Sequence, residues 1–175
     1  MLFSAVRCHR ARLMRRPLVR TLQQTGMDII LRAATTDDTD FLYRLHRAAM
    51  QEYVVQAWGQ WDEAWQSHHF QQHFDPAACQ IIVFHGQDIG VISVVRQVTD
   101  IFLSNIELLP TYQGQGIGTQ LIKALVDEAH RKRVPMTLQV LKVNPARRLY
   151  KRLGFSISGE TATHYQMTAT LGVTT

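Results

Sequence analysis

The chain holds 175 residues, 46% of them hydrophobic, with a formal net charge of +5. That length suits one domain with a sizeable core, and no stretch approaches the ~18–20 apolar residues of a membrane span. The placement of the charge argues against a nucleic-acid partner: six of the 19 Lys and Arg residues lie in residues 1–26, which hold no acid, leaving residues 27–175 with 13 cations against 14 acids, clustered only at Arg131–Arg133.

Residues 1–26 are therefore read apart from a domain over residues 27–175. Three readings of this basic extension stay open: a mitochondrial presequence, a disordered basic arm, or a start placed too early, since Met27 directly precedes the first strand-like run. None of them gives the extension a structural role. Cys8 and Cys79 form no Cys-x-x-Cys pattern and no disulfide framework, which suits a reducing compartment. The cytoplasm is expected, or the mitochondrial matrix if residues 1–26 are a presequence.

The first strand is expected at Ile29–Ala33. Capping chemistry follows from Thr36 to Asp40, and Phe41, Leu42, Leu45, Ala48 and Ala49 then form a helical apolar stripe that Gly59 ends. Asp62 or a neighbour caps a second helix running through Trp65 and Phe70 towards Asp75 and Pro76. Two strands, Gln80–Phe84 and residues 89–96, flank a hairpin turn at residues 85–88. A strand over residues 101–109 is stopped by Pro110, and Gln113, Gly114, Gln115, Gly116, Ile117 and Gly118 lead into a helix marked by Ile117, Leu121, Leu125 and Ala129. Arg131, Lys132 and Arg133 end that helix, where cations complement its dipole. A strand at residues 136–142 precedes a short helix, residues 146–153, with Asn144 as N-cap, Pro145 in its first turn and Gly154 closing it. Strand-like residues around Ile157 and a last strand at His164–Ala169 complete the order β-α-α-β-β-β-α-β-α-β-β.

A strand, a glycine-rich turn and a helix point an uncapped helix N-terminus at a phosphate. The dinucleotide fingerprint fails, because its third glycine would fall on Thr119 or Leu121, and the P-loop fails for want of a lysine after Gly118. Gln113-x-x-Gly116-x-Gly118 after a strand ending at Pro110 resembles the acyl-CoA pyrophosphate loop of the GNAT superfamily of N-acetyltransferases. The set Asn144, Ala146, Leu149, Tyr150, Gly154 and Phe155 resembles the second acyl-CoA motif of the same superfamily, at the family's distance from the first. The superfamily's Asn more often sits seven residues before the Tyr, where this chain has Val143. The resemblance covers roughly residues 30–168.

It implies a bacterial-type, single-domain member of α/β (α+β) class. The expected sheet is mixed and mostly antiparallel, with six to seven strands and about four helices on both faces. It also implies an acetyl-CoA-dependent N-acetyltransferase moving the acetyl group directly to a primary amine of a small molecule, as a monomer or homodimer. A non-catalytic acyl-CoA-binding or sensing module on the same fold is the alternative. Acetyl-CoA contacts are expected at Leu108, Leu109, Gln113, Gly114, Gln115, Gly116, Ile117, Gly118, Thr119 and Asn144. Tyr150 matches the tyrosine beside the CoA sulfur and is the candidate acid for the departing thiolate. A backbone N–H near Leu108, freed where the strand splays at Pro110, is the candidate oxyanion donor. Glu107, on the face opposite Ile106 and Leu108, is either the base or a solvated carboxylate.

The acceptor site is expected between the first two helices, at Glu52, Tyr53, Trp58 and Trp61. Acids and aromatics there suit a small cationic amine such as a polyamine, amino sugar or amino-acid-like compound, or else form an aromatic lid on the sheet. His69 and His73 share an i,i+4 spacing but lack a third ligand, so no metal is expected.

Overall fold

The computed structural model describes residues 20–22 and 28–170. Strands β1 (Arg20–Leu22), β2 (Ile29–Ala33), β3 (Gln80–Phe84), β4 (Gln87–Arg96), β5 (Ile101–Leu108), β6 (Met136–Leu141), β7 (Ser156–Glu160) and β8 (His164–Ala169) form one sheet, ordered β1-β2-β3-β4-β5-β6-β8-β7. All neighbours run antiparallel except β5 and β6. From Ile29 onward the sheet has seven strands, as expected. The eighth comes from the extension: Arg20–Leu22 pairs with residues 29–31 at the sheet edge, so this piece has a structural role that the sequence reading withheld. Residues 1–19 and 23–27 lie outside the described residues, and so do the presequence and arm readings.

Among the described residues, four α-helices cover the two faces. Helices α1 (Thr39–Trp58) and α2 (Glu63–His73) lie on one face, where Leu42 and Leu45 pack with Ile81 and Val91, and Phe70 and Phe74 border them. Helices α3 (Ile117–Lys132) and α4 (Ala146–Arg152) cover the other, where Leu121, Ile122 and Tyr150 pack on Ile82, Ile92 and Leu138. The strands supply both cores by alternation: Ile81 faces one and Ile82 the other. Truncating one such buried Leu or Ile to Ala costs about 2–5 kcal/mol. No helix among the described residues is long and apolar enough to cross a membrane.

Two charge clusters tie helices to the sheet. Arg32 on β2 bridges Asp38 at the start of α1 (Nη2–Oδ1 2.7 Å) and Asp88 on β4 (Nη2–Oδ2 2.6 Å). Glu128 of α3 meets Arg96 of β4 at 2.9 Å and Lys132 at 2.8 Å. Burial alone would raise the Glu128 carboxyl, but hydrogen bonds and charge from the two cations outweigh it and hold it at about 2.

Candidate active site

The site begins where two neighbouring strands part. β5 follows β4 along its whole length, but pairs with β6 only at Ile101–Met136, Phe102–Thr137 and Leu103–Leu138. Beyond Leu103 the strands diverge, leaving backbone groups on the facing edges without ladder partners. The splay therefore opens at Ser104, earlier than the Pro110 expected from the sequence. A β-bulge lies at the same residue: Asn105 pairs with Ser93 and Leu103 with Val94, so Ser104 is the extra residue. Gly90 keeps the other side of β5 tight, since a Cβ there would collide with the Glu107 carbonyl oxygen.

A cavity of about 270 Å³ fills the gap. β5 lines it from Leu103 to Glu107 and β6 from Leu138 to Leu141, with Asn144, Tyr150 and His164 at that end. His46 and Met50 of α1 and the inner face of α2 close the opposite wall.

Below the splay runs the glycine loop. Pro110–Tyr112 forms a 3₁₀ turn, and Gly114 (φ +74°) and Gly116 (φ +84°) occupy the left-handed region that side chains disfavour. Gly116 is the N-cap of α3 and offers no side-chain cap; the first helical turn closes from Gln120 N–H to the Gly116 carbonyl at 3.0 Å. The N–H groups of Ile117, Gly118 and Thr119 precede that bond and lack intrahelical acceptors. An open, uncapped helix N-terminus behind two left-handed glycines fits the pyrophosphate of an acyl-CoA. Gln113 and Gln115 brace the loop, donating to the carbonyls of Leu108 (2.9 Å) and Thr111 (2.7 Å). The side chains of Ile117 and Leu108 belong to the α3-side core and that of Leu109 borders the α1-side core, so only their backbones are offered to a ligand.

α4 carries the candidate acid. Asn144 Oδ1 accepts the Ala146 N–H at 2.9 Å, capping the helix start as its sequence suggested, and also lines the cavity. Tyr150 is 6% exposed and packs edge-to-face on Phe155 at 5.8 Å. Burial pushes its phenol up to about 12. It therefore carries its proton throughout the neutral range, as an acid for a departing thiolate requires.

Glu107 is not solvated: its side chain is 6% exposed, and Oε1 lies 2.8 Å from Nδ1 of His46, which is 22% exposed. The sequence reading missed His46. Its position, four residues after Leu42 and one after Leu45 on the buried stripe of α1, was the available signal. Burial alone would lower its imidazolium, but the charge and hydrogen bond of Glu107 outweigh burial, and the net direction is upward from 6.5. A carboxylate held by an imidazole inside a cavity can take a proton from an incoming ammonium.

Glu52, Tyr53, Trp58 and Trp61 do not line the cavity. Glu52 is exposed and accepts from Gln56 at 3.1 Å. Trp61 donates from Nε1 to Glu63 Oε2 at 2.8 Å, and Glu63 also accepts from the Tyr43 hydroxyl at 2.7 Å. These groups largely satisfy one another. Trp61 and Trp58 stand behind cavity residues, with ring centroids 6.0 Å from His46 and 6.5 Å from His164. The α2 wall is instead built by Gln66, His69, Phe70, His73 and Phe74, on the helical face that i, i+3, i+4, i+7 spacing generates. His69 and His73 stack at 4.2 Å, and among the described residues no three His, Cys, Asp or Glu side chains group to hold a metal.

Comparison with known proteins follows this geometry. Residues 39–155 match the model of the Acetyltransferase (GNAT) family. Over 76 residues the chain is 36% identical to the [Ribosomal protein bS18]-alanine N-acetyltransferase of Haemophilus influenzae, an alignment covering 43% of this chain and 52% of that protein. The aligned chain thus spans about half the length of this relative. The fold resembles the PaiA N-acetyltransferase of Thermoplasma acidophilum in complex with coenzyme A (TM-score 0.66, 16% identity, 82% of this chain and 99% of that one). It also resembles the ribosomal-protein-S18-alanine N-acetyltransferase of Escherichia coli (TM-score 0.56, 19% identity, 83% and 97%). With the family model matching more than half of its length, on a sheet whose parted strands and glycine loop suit an acyl-CoA, the chain belongs to the acetyltransferase (GNAT) family.

Proposed function

We propose that this family member is an acetyl-CoA-dependent N-acetyltransferase that moves the acetyl group directly to a primary amine of a small molecule. One observation carries the reading: the unpaired β5 and β6 edges, Tyr150 and the Glu107–His46 pair all face one cavity. The thioester supplies an activated acetyl group, and the protein's residues do the rest. N–H groups at residues 117–119 hold the phosphates, while Asn144 lines the cavity at the end where α4 begins. Backbone N–H groups on the free edge of β5 are placed to stabilise charge on the carbonyl oxygen. Glu107, backed by His46, takes the ammonium proton, and Tyr150 gives its proton to the thiolate. No covalent intermediate is needed, because the cavity can hold both partners side by side.

A second acceptor reading has its own support. The Haemophilus relative is named for an alanine of ribosomal protein bS18, which favours an aminoacyl amine of a polypeptide. The purified protein, incubated with acetyl-CoA and panels of amines and peptides, should release free CoA thiol in an acceptor-dependent way. Tight acetyl-CoA binding without thiol release from any acceptor would favour the non-catalytic binding module instead.

A further inference from the structure

The two faces of the sheet carry opposite charge. Residues 35–79, which hold α1 and α2, contain seven acids against Arg44 and Arg47. Residues 110–155, which hold α3, β6 and α4, contain nine cations against Asp127 and Glu128. The near-neutral count over residues 27–175 conceals this, because the faces cancel. Charge of one sign gathered on one face raises the local concentration of partners of the other sign.

The sequence marks one basic cluster, Arg131 to Arg133, and α4 carries a second on the same face. Arg147 and Lys151, and Arg148 and Arg152, stand one turn apart, away from the core-packed Ala146, Leu149, Tyr150 and Leu153. Arg147 lies over the Tyr165 ring at 5.0 Å, and Lys142, just before the helix, meets Glu160 at 3.2 Å. Arg148, Lys151 and Arg152 are exposed, as are Lys123, Arg131 and Arg133 on α3 and its C-cap. None of these six makes an ion pair among the described residues. The helix dipole accounts for cations in a last turn, such as Arg131 and Arg152. It disfavours Arg147 and Arg148, which stand in the first turn of α4. Their charge is kept against helix electrostatics, and an external anion would repay it.

The occupant follows from the extent of the face and from what it lacks. α4 packs beside the first turn of α3, where a Cβ on Gly118 would sit 3.9 Å from Leu149. Arg131 lies 14 residues beyond Ile117, about 21 Å down the helix, so a pyrophosphate at the loop does not neutralise it. The exposed large hydrophobics, Val55, Trp65, Val98, Val143 and Ile157, all lie outside α3 and α4. These helices therefore offer no apolar centre for a protein interface and no wedge for a bilayer. Charge without apolar contact suits a partner that is itself a row of phosphates. We propose that the α3–α4 face docks the phosphate backbone of a nucleic acid without reading its sequence. α1 and α2, which wall the cavity, lie on the opposite face, so the docked strand leaves that wall uncovered.

The test is fluorescence anisotropy of the full chain with RNA and DNA duplexes of one sequence, each about 20 base pairs long, across about 50 to 200 mM salt. Affinity should fall about 100-fold over that range, as neutralising about four phosphates requires. Arg131→Gln and Arg148→Gln, on different helices, should each lower the salt slope by about 1 with an unaltered Tm. Arg44→Gln, on the opposite face, should leave the slope unchanged. Tighter binding of RNA assigns an A-form partner and equal binding assigns the backbone alone; either supports the proposal. No duplex binding by wild type, or slopes that neither helix substitution moves, overturns it. Equal binding of polyglutamate overturns it in favour of an acidic polypeptide, and displacement of the duplex by acetyl-CoA assigns the cations to the donor instead. Loss of binding only when Arg7, Arg10, Arg12, Arg15 and Arg16 are changed to Gln moves the contact to the extension and also overturns it. Self-association abolished by the same helix substitutions, without duplex binding, would give the face to the acidic helices of a second copy.

Discussion

His46 Nδ1 meets Glu107 Oε1 at 2.8 Å because β5 carries one residue more than its partner strand. Ile101 and Leu103 face the α3-side core, and strict alternation would send Glu107 there with them. Ser104 is the unpaired residue of the bulge, and beyond it the phase shifts so that Ile106 and Leu108 face that core. Glu107 thereby turns to the α1 side, where His46 waits. One irregular residue decides which core the carboxylate joins.

The pH dependence follows from that pair. Below the raised His46 pKa, Glu107 is locked to an imidazolium and is a poor base; above it, the carboxylate is free to accept. The kcat/KM should rise with pH through a value above 6.5, and loss of the Tyr150 proton, near 12, should cause no decline in the neutral range. Glu107→Gln removes the influences that raise His46 and leaves burial, which lowers it. NMR titration of the variant should place His46 below 6.5, and an unchanged titration would break the assignment of the pair.

Tyr150→Phe keeps the ring against Phe155 and removes the proton. The turnover number should fall by about 100-fold or more, with acetyl-CoA affinity little changed. Steady-state kinetics beside calorimetry separate the two effects. A rate near that of wild type would assign thiolate protonation to water.

The loop glycines should divide into two kinds. Gly116 has φ +84°, whereas Gly118 lacks a positive φ and an added Cβ there would sit 3.9 Å from Leu108 and Leu149 side chains. Gly118→Ala should therefore fold with an unaltered Tm yet bind acetyl-CoA several-fold more weakly, because the methyl group crowds the phosphate-facing turn. Gly116→Ala should lose affinity and about 1–2 kcal/mol of stability together, the cost of a left-handed backbone for an L-residue. Equal thermal losses for the two would contradict the assigned backbone roles.

Deleting Ser104 should restore plain alternation and swing Glu107 towards the apolar α3-side core. Activity should fall at least 100-fold, within the range for loss of a general base, and the melting temperature should drop, since an unpaired carboxylate is costly to bury. Ser104→Ala keeps the bulge and should keep the His46 titration of wild type. If the deletion retains that titration, the bulge does not set the direction of Glu107.

Much of this fold was legible because its signals are local. Pro110, the loop glycines, Asn144 before Pro145, and Gly154 each act within a few residues, and each stands where the sequence placed it. The bulge was not legible, because it exists only in the register between β4 and β5. His46 and Gln66 were hidden for a related reason: a lone polar residue on an apolar helix face reads as core until the facing strand is known. The cluster from Glu52 to Trp65 shows the opposite limit. Composition reported aromatics beside acids, but not that Trp61, Glu63 and Tyr43 bind one another outside the cavity.

The parallel seam has a mechanical consequence. Among the described residues, the strand pairing between β1–β5 and β6–β8 comprises three residue pairs, so the sheet is stitched along a short hem and open above it. A donor seated in the opening adds contacts to both strand edges beyond those that the α3-side core already makes. Loading it should therefore fasten one half to the other, slowing amide exchange at residues 104–108 and 139–141 together. Departure of the spent carrier is then an unfastening, and how quickly the hem yields sets an upper bound on turnover.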